Sequence, residues 1–191
     1  MNEIEIKMHN GISKLIEHLS ELKKVNVIEN KKVIIDDIKN YGIEKFNEDF
    51  SNIGNNIIYI INTNLLPFTY DQIKSYFLNL KNKYKEKKLD YNISKINDKE
   101  LWENKHDMFC LYIGSKRDNA ISRFKQHIGI GLESRSTYSL WLKDWWPEKI
   151  EIQITIYEFK DPIDSESLQI IEDILWNEYK PLLGKKGSNN K

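Results

Sequence analysis

Apolar residues fall along the chain in several distinct rhythms. Over 9–24, Ile12, Leu15, Ile16, Leu19 and Leu22 recur at three- and four-residue spacing, the mark of an amphipathic helix with one apolar stripe. Ile34, Ile35 and Ile38 extend that spacing and predict a second helix from Lys32 to Asn40. Gly42 and the polar stretch from Ser51 to Asn56 then break the pattern. Ile57 to Ile61 is β-branched and aromatic between turn formers, which predicts a buried strand. Asp71 to Lys85 carries Ile73, Tyr76, Phe77 and Leu80 at helical spacing, and Phe109 to Ile113 reads as a second strand. Asp118 stands where a helix cap is expected. The helix after it would bury Ala120, Ile121, Phe124 and Ile128 and stop at Gly129 and Gly131. Thr137 to Trp145 predicts a short helix dense in aromatics. Ile150, Ile152, Ile154 and Ile156 alternate with Glu151, Gln153 and Thr155, the clearest half-buried strand in the chain. Asp164 then caps a last helix to Tyr179, ended by Pro181 and Gly184.

Composition narrows this picture. With 191 residues, 40% hydrophobic and 30% charged, the chain has room for one core plus an appendage and lacks the composition of a disordered protein. A formal net charge of +0 means that any phosphate-binding surface must be local. The single cysteine, Cys110, excludes an intramolecular disulfide and lies in an apolar run where a buried thiol is expected. Residues 1–5 have no basic start followed by an apolar run, so a signal peptide is not expected. No apolar run nears the ~20 residues needed to span a bilayer. The expectation is a cytoplasmic protein with no membrane partner.

The candidate chemistry is concentrated late in the chain. Arg123 and His127 are four apart and share one helical face, directed away from Phe124 and Ile128. They read either as solvated polar residues or as a site, because their helix follows a strand ending in Tyr112-Ile113-Gly114, and a helix start favours an anion. Glu172 is a sharper anomaly. Leu168, Leu175, Trp176 and Tyr179 fall within about 60° of it around the helix, so its carboxylate stands inside an apolar stripe. It is either salt-bridged or a metal ligand, for which hard oxygen donors and magnesium are the natural match. Tyr59 and Tyr112 sit in strands, where tyrosine also serves simply as packing. The aromatics Tyr138, Trp141, Trp145 and Trp146 read as packing rather than base stacking. Charge is segregated: Lys116, Arg117, Arg123 and Lys125 cluster after the second strand, and Lys180, Lys185, Lys186 and Lys191 follow Tyr179. Asp161, Asp164, Glu166, Glu172, Asp173 and Glu178 lie between.

In order along the chain, these residues resemble the motifs of the GIY-YIG nuclease family. Ile57-Ile58-Tyr59 stands at the first motif strand, and Leu111-Tyr112-Ile113-Gly114 resembles the YIG strand. Arg123 with His127 matches the arginine helix, and Glu172, ahead of Pro181, matches the metal-binding glutamate. The resemblance covers about Asn56 to Lys186. It departs from the family at Ile57, which replaces a glycine, at the insertion over 63–106 between the two motif strands, and at Gly184, where the family has an asparagine that Asn189 or Asn190 would have to replace.

The resemblance implies an α/β (α+β) fold, a small and mainly antiparallel three-stranded sheet flanked by helices. Residues 1–54 would be a helical N-terminal extension and 55–191 the nuclease-like domain. It implies a metal-dependent endonuclease hydrolysing DNA phosphodiester bonds, with Mg2+ or another divalent cation held by Glu172. Tyr112 or Tyr59 would help deprotonate water, Arg123 would offset phosphate charge, and His127 would orient water or a phosphate oxygen. Gly114, Lys116, Arg117, Lys125, Lys185 and Lys186 would line the DNA path, joined by the lysines of the insertion helix, Lys74, Lys81 and Lys83. The alternative is a catalytically impaired nucleic-acid-binding or interaction module. A protein partner could dock on the N-terminal helices. The nuclease reading requires Tyr59, Tyr112, Arg123, His127 and Glu172 to converge on one concave surface, about 4–10 Å apart.

Overall fold

The computed structural model describes residues 13, 14, 17, 20, 26–64, 69–86, 95–98, 109–131 and 138–187. Of the helix expected over 9–24, Ser13, Lys14, Glu17 and Ser20 are helical and exposed, and its apolar positions lie outside the described residues. The chain then runs β1 (Val27–Ile35), α1 (Ile43–Asp49), β2 (Ile57–Thr63), α2 (Tyr70–Glu86), β3 (Phe109–Lys116), α3 (Ala120–Ile128), α4 (Leu142–Trp145), β4 (Ile152–Phe159) and α5 (Ser165–Tyr179). The fold is α+β, with every strand pair antiparallel in the order β1-β4-β2-β3.

The sheet therefore has four strands, not three, and the additional one comes from the part expected to be a helical extension. The helix expected from Lys32 to Asn40 is not formed: Val27–Ile35 is a strand paired with β4 over its whole length. Val33 and Ile35 point into the core while Ile34, between them, is 49% exposed. The isoleucine spacing looked helical only because an outward-facing Ile34 was counted with inward-facing neighbours. Ile38, Tyr41, Phe46 and Phe50 continue from β1 and α1 into the main core.

β2 lies between β4 and β3, and helices cover both its faces, so it is apolar at successive positions rather than alternating. Its odd residues Ile57, Tyr59 and Ile61 enter the main core with α2, α3 and α4. Ile58 and Ile60 face the other way, toward Leu168 and Leu175 of α5. A bulge at Ile61–Asn62, opposite Cys110–Tyr112, adds one residue to β3, so that Leu111 and Tyr112 both enter the main core.

Other expected elements form with shifted ends. Asp164 caps α5 as expected, its Oδ1 accepting from the N–H groups of Glu166 and Ser167, each at 2.9 Å. The cap of α3 is Asn119 in the left-handed region rather than Asp118. The aromatic helix is confined to Leu142–Trp145, and Trp141, Trp145 and Trp146 are buried packing residues.

Helix α2, inside the expected insertion, belongs to the core. Tyr70, Ile73, Phe77, Leu80 and Tyr84 are buried, whereas Tyr76 faces out. Phe77 meets Trp145 edge-on, with centroids 5.2 Å apart. Phe77→Ala is expected to lower stability by about 3–5 kcal/mol. Urea unfolding followed by far-UV CD checks this: an integral helix gives one shifted transition, whereas a separable appendage would leave the main midpoint in place.

Candidate active site

Tyr59 from β2 and Tyr112 from β3 project from the same sheet face, their rings roughly parallel with centroids 6.1 Å apart. Helix α3 covers them, bringing Arg123 and His127 down from successive turns. His127 is fully buried, not solvated as its polar face suggested. Its Nε2 lies 2.7 Å from Tyr59 Oη, and its Nδ1 lies 3.4 Å from Ser139 Oγ. The Arg123 guanidinium lies within electrostatic reach of the Tyr59 hydroxyl. Its Nη2 also makes a long contact of 3.4 Å to Tyr112 Oη, and its Nη1 donates to the Tyr138 carbonyl at 2.7 Å and to Gln126 Oε1 at 3.1 Å.

Donor counting orders the protons in this cluster. The Arg123 cation beside the Tyr59 oxygen favours the arrangement in which the hydroxyl proton points away from the guanidinium, toward His127 Nε2. That leaves Nδ1–H to donate to Ser139 Oγ. Burial, helped by the Tyr112 oxygen, holds the Tyr59 phenol well above its usual pKa. Burial, and then the Arg123 charge, holds His127 well below its own. Both groups are neutral at physiological pH. Burial alone would weaken the Arg123 cation, but the phenol oxygens of Tyr59 and Tyr112 outweigh it and raise its pKa above the usual value.

Gly114 makes the assembly possible. It pairs directly with Tyr59 across the β2–β3 ladder, and a Cβ there would lie 2.5 Å from Tyr59 Oη and 2.7 Å from Tyr112 Cε1. The glycine expected on a DNA path is a packing position beneath the two phenols.

Glu172 reaches this region from the opposite layer. Helix α5 packs on the other sheet face, and the carboxylate sits against β3, an edge strand, where Ser115 Oγ donates to Oε2 at 2.5 Å. It is only 4% exposed. Burial pushes its carboxyl up to about 7 with a further push from Asp173, while Ser115 and the Arg123 charge pull it back down. Four of the five expected residues thus form one contiguous cluster. The fifth does not share their surface: Glu172 comes from the helix layer on the other sheet face, contrary to the convergence expected of all five, and reaches Arg123 and Tyr59 only electrostatically at the rim.

The expected basic track is only partly assembled. Lys116, Lys185 and Lys186 are exposed. Arg117 is exposed and donates to Ser165 Oγ at 3.0 Å. Lys125 lies over the Phe46 ring, with Nζ 5.6 Å from its centroid, two positions from Arg123 and so on another side of α3. On α2, Lys74 and Lys81 lie over the rings of Tyr70 and Phe77. Asn189 and Asn190 fall outside the described residues.

Two partners escaped the sequence. Strand alternation could have found Ser115, since it faces away from Gly114 toward α5. Ser139 carried no local signal. Among the described residues, no group of three or more His, Cys, Asp or Glu comes together to hold a metal ion. No helix among them is long and apolar enough to cross a membrane. A groove of about 540 Å³ between α2 and α4, lined by Tyr76, Leu80, Lys83, Trp145 and Trp146, shares no residue with the tyrosine–arginine cluster. No protein-family model, curated protein or solved structure matches the chain.

Tyr59→Phe leaves His127 Nε2 buried and unpaired, and is expected to cost about 1–3 kcal/mol by chemical denaturation. Gly114→Ala should cost at least as much, because its methyl meets backbone-anchored rings on two sides. If both variants matched wild-type stability, this hydrogen-bond order would be wrong.

Proposed function

We propose that this protein is a metal-dependent endonuclease hydrolysing DNA phosphodiester bonds in the cytoplasm. The observation that carries the reading is Arg123, a half-buried guanidinium that donates to the Tyr112 hydroxyl and the Tyr138 carbonyl near a sheet edge where Glu172 supplies a buried carboxylate. Phosphoryl transfer is limited by the electrostatics of its transition state, so a preorganised cation next to a metal-binding carboxylate suits that reaction.

Each residue has a task its geometry permits. Arg123 would meet a non-bridging phosphate oxygen. Tyr112 keeps 8% of its surface against 1% for Tyr59, so it is the phenol available to orient or deprotonate water. Tyr59 and His127 are sealed and neutral, and they would hold Arg123 in place rather than touch substrate. This departs from the role the family resemblance implies for His127.

Glu172 is a buried carboxylate whose ionisation is suppressed, which a divalent ion would relieve. Magnesium commonly takes one or two carboxylates and fills its remaining positions with water and substrate phosphate. Glu172 fits such a singly anchored ion, which when bound would supply Lewis-acid polarisation of the phosphoryl oxygen. Lys116, Arg117, Lys185 and Lys186 would contact flanking phosphates. The sealing of Tyr59 and His127 favours a second reading, a nucleic-acid-binding module without cleavage.

Plasmid nicking with and without Mg2+ separates the two readings. On the nuclease reading, cleavage at sub-saturating Mg2+ rises with pH toward about 7, because the ion must displace the Glu172 proton to bind. Glu172→Gln should abolish it, and Arg123→Ala and Arg123→Lys should each cost about 3 kcal/mol or more in transition-state stabilisation. The sign for stability is opposite to that for activity. Between 4.5 and about 7 the folded chain holds the Glu172 proton more tightly than the unfolded chain, so metal-free stability falls as pH rises through that window. Glu172→Gln removes this loss, roughly 3 kcal/mol at pH 8. Cleavage that survives Glu172→Gln, or a variant that unfolds instead of gaining stability, would overturn the assignment.

A further inference from the structure

Beyond α5, residues 181–184 run along the outer edge of β3. The Leu182 N–H donates to the Cys110 carbonyl at 3.0 Å, and the Leu183 N–H to the Leu111 carbonyl at 2.8 Å. Residues 95–97 grip its far side: Asn97 N–H donates to the Leu182 carbonyl at 2.7 Å and Gly184 N–H to the Lys95 carbonyl at 2.8 Å, around an Ile96–Leu183 bridge. Asn97 is buried, its Nδ2 donates to the Pro181 carbonyl at 2.8 Å, and its own carbonyl accepts from Tyr70 Oη at 2.9 Å. An unbroken series of hydrogen bonds therefore joins the start of α2 to the C-terminal strap and to β3.

The strap delivers Gly184 to the Tyr112 ring. Gly184 has φ +103°, and a Cβ there would lie 3.0 Å from Tyr112 Cε2 and 3.2 Å from Cδ2. The opposite ring edge, at Cε1, is bounded by Gly114, where a Cβ would approach to 2.7 Å. The ring's remaining neighbours are Tyr59 and His127, whose centroids lie 6.1 Å and 4.7 Å away. Tyr112 is thus held edge-on between two residues that have no side chain.

We infer that Gly184 and Asn97 are positioning residues for Tyr112. The strap, latched by Asn97 from the insertion, sets where the more accessible phenol of the site stands. Gly184 acts through the ring it touches, and Asn97 through the Pro181 carbonyl. The inference rests on the endonuclease reading only for its effect on cleavage, since the placement of the ring can be read without activity.

The test uses full-length protein carrying 3-fluorotyrosine at position 112, observed by fluorine NMR, alongside magnesium-dependent plasmid nicking. Gly184→Ala should move and broaden the resonance and lower kcat by about tenfold or more with little change in KM. A D-alanine at 184, introduced by ligating the C-terminal peptide, suits positive φ and carries its methyl in place of the other α-hydrogen, off the ring. It should restore both signals. Asn97→Ala should produce a smaller shift in the same direction, and it carries the test if Gly184→Ala fails to fold. An unmoved resonance in Gly184→Ala and Asn97→Ala overturns the inference. So does a D-alanine protein as perturbed as the L-alanine one, because strap disruption rather than ring contact would then be the cause. If the resonance responds as expected while even the wild-type protein never cleaves, positioning stands and the endonuclease reading fails.

Discussion

A half-buried guanidinium resting on a core of aromatic rings is tolerable only if acceptors receive its protons, and that constraint organises this molecule. Arg123 is partly withdrawn from water between β2, β3 and the loop before α4, where the Tyr112 hydroxyl, the Tyr138 carbonyl and Gln126 receive its protons and the Tyr59 oxygen lies close enough to stabilise its charge. Each acceptor must in turn be placed. Tyr59 is oriented by His127, His127 by Ser139, and Tyr112 by the bulge that turns it to the same face. Removing the Cβ of residue 114 clears the volume that the two rings occupy. A small change in any of these members leaves a buried polar group unpaired, which costs more than the hydrogen bond itself contributed.

Glu172 stands under a different balance. The sheet separates it from most of that cluster, and its hydrogen bond comes from Ser115 at the rim. Burial favours the protonated acid, while Arg123 and Ser115 favour the carboxylate, and the outcome is a group that titrates near neutrality. His127 is displaced in the opposite sense and remains neutral. Two titratable groups driven apart by their surroundings are a common mark of a reactive site, although structural networks produce the same pattern.

Connectivity explains why the parts expected to be accessories are not. Helix α2 supplies a wall of the core through Phe77 and Leu80, and through Tyr70 and Asn97 it holds the C-terminal strap against β3. β1 completes the sheet beyond β4 and carries the chain into Ile38 and Phe46, which fill the space beside α3. A long insertion between two paired strands costs little in loop entropy, and here its ordered part packs on the structure it interrupts.

Where the polypeptide's own periodicity matched the local environment, the sequence was enough. Ile152, Ile154 and Ile156 alternate because one face of β4 is the core, and Asp164 caps α5 because the chemistry of a cap is local. The residues of the Tyr59–Tyr112–Arg123–His127 cluster were legible as a set, since their order and spacing bring phenol, guanidinium and imidazole near one strand end. Their burial was not legible, because a helix face is polar or apolar only relative to what lies opposite, and Tyr59 makes that face a core for His127. β1 was misread for the same reason: Ile34 is apolar yet outward, and only pairing with β4 reveals the period of two. By itself the sequence determined the central strands, the helices after Tyr70, Ala120 and Ser165, the cap of α5 and the identity of the candidate groups, all set by interactions within a few residues. Strand order, the arrival of Glu172 from across the sheet and the grip of Gly184 on Tyr112 join residues far apart in the chain, and only the packed tertiary structure could decide them.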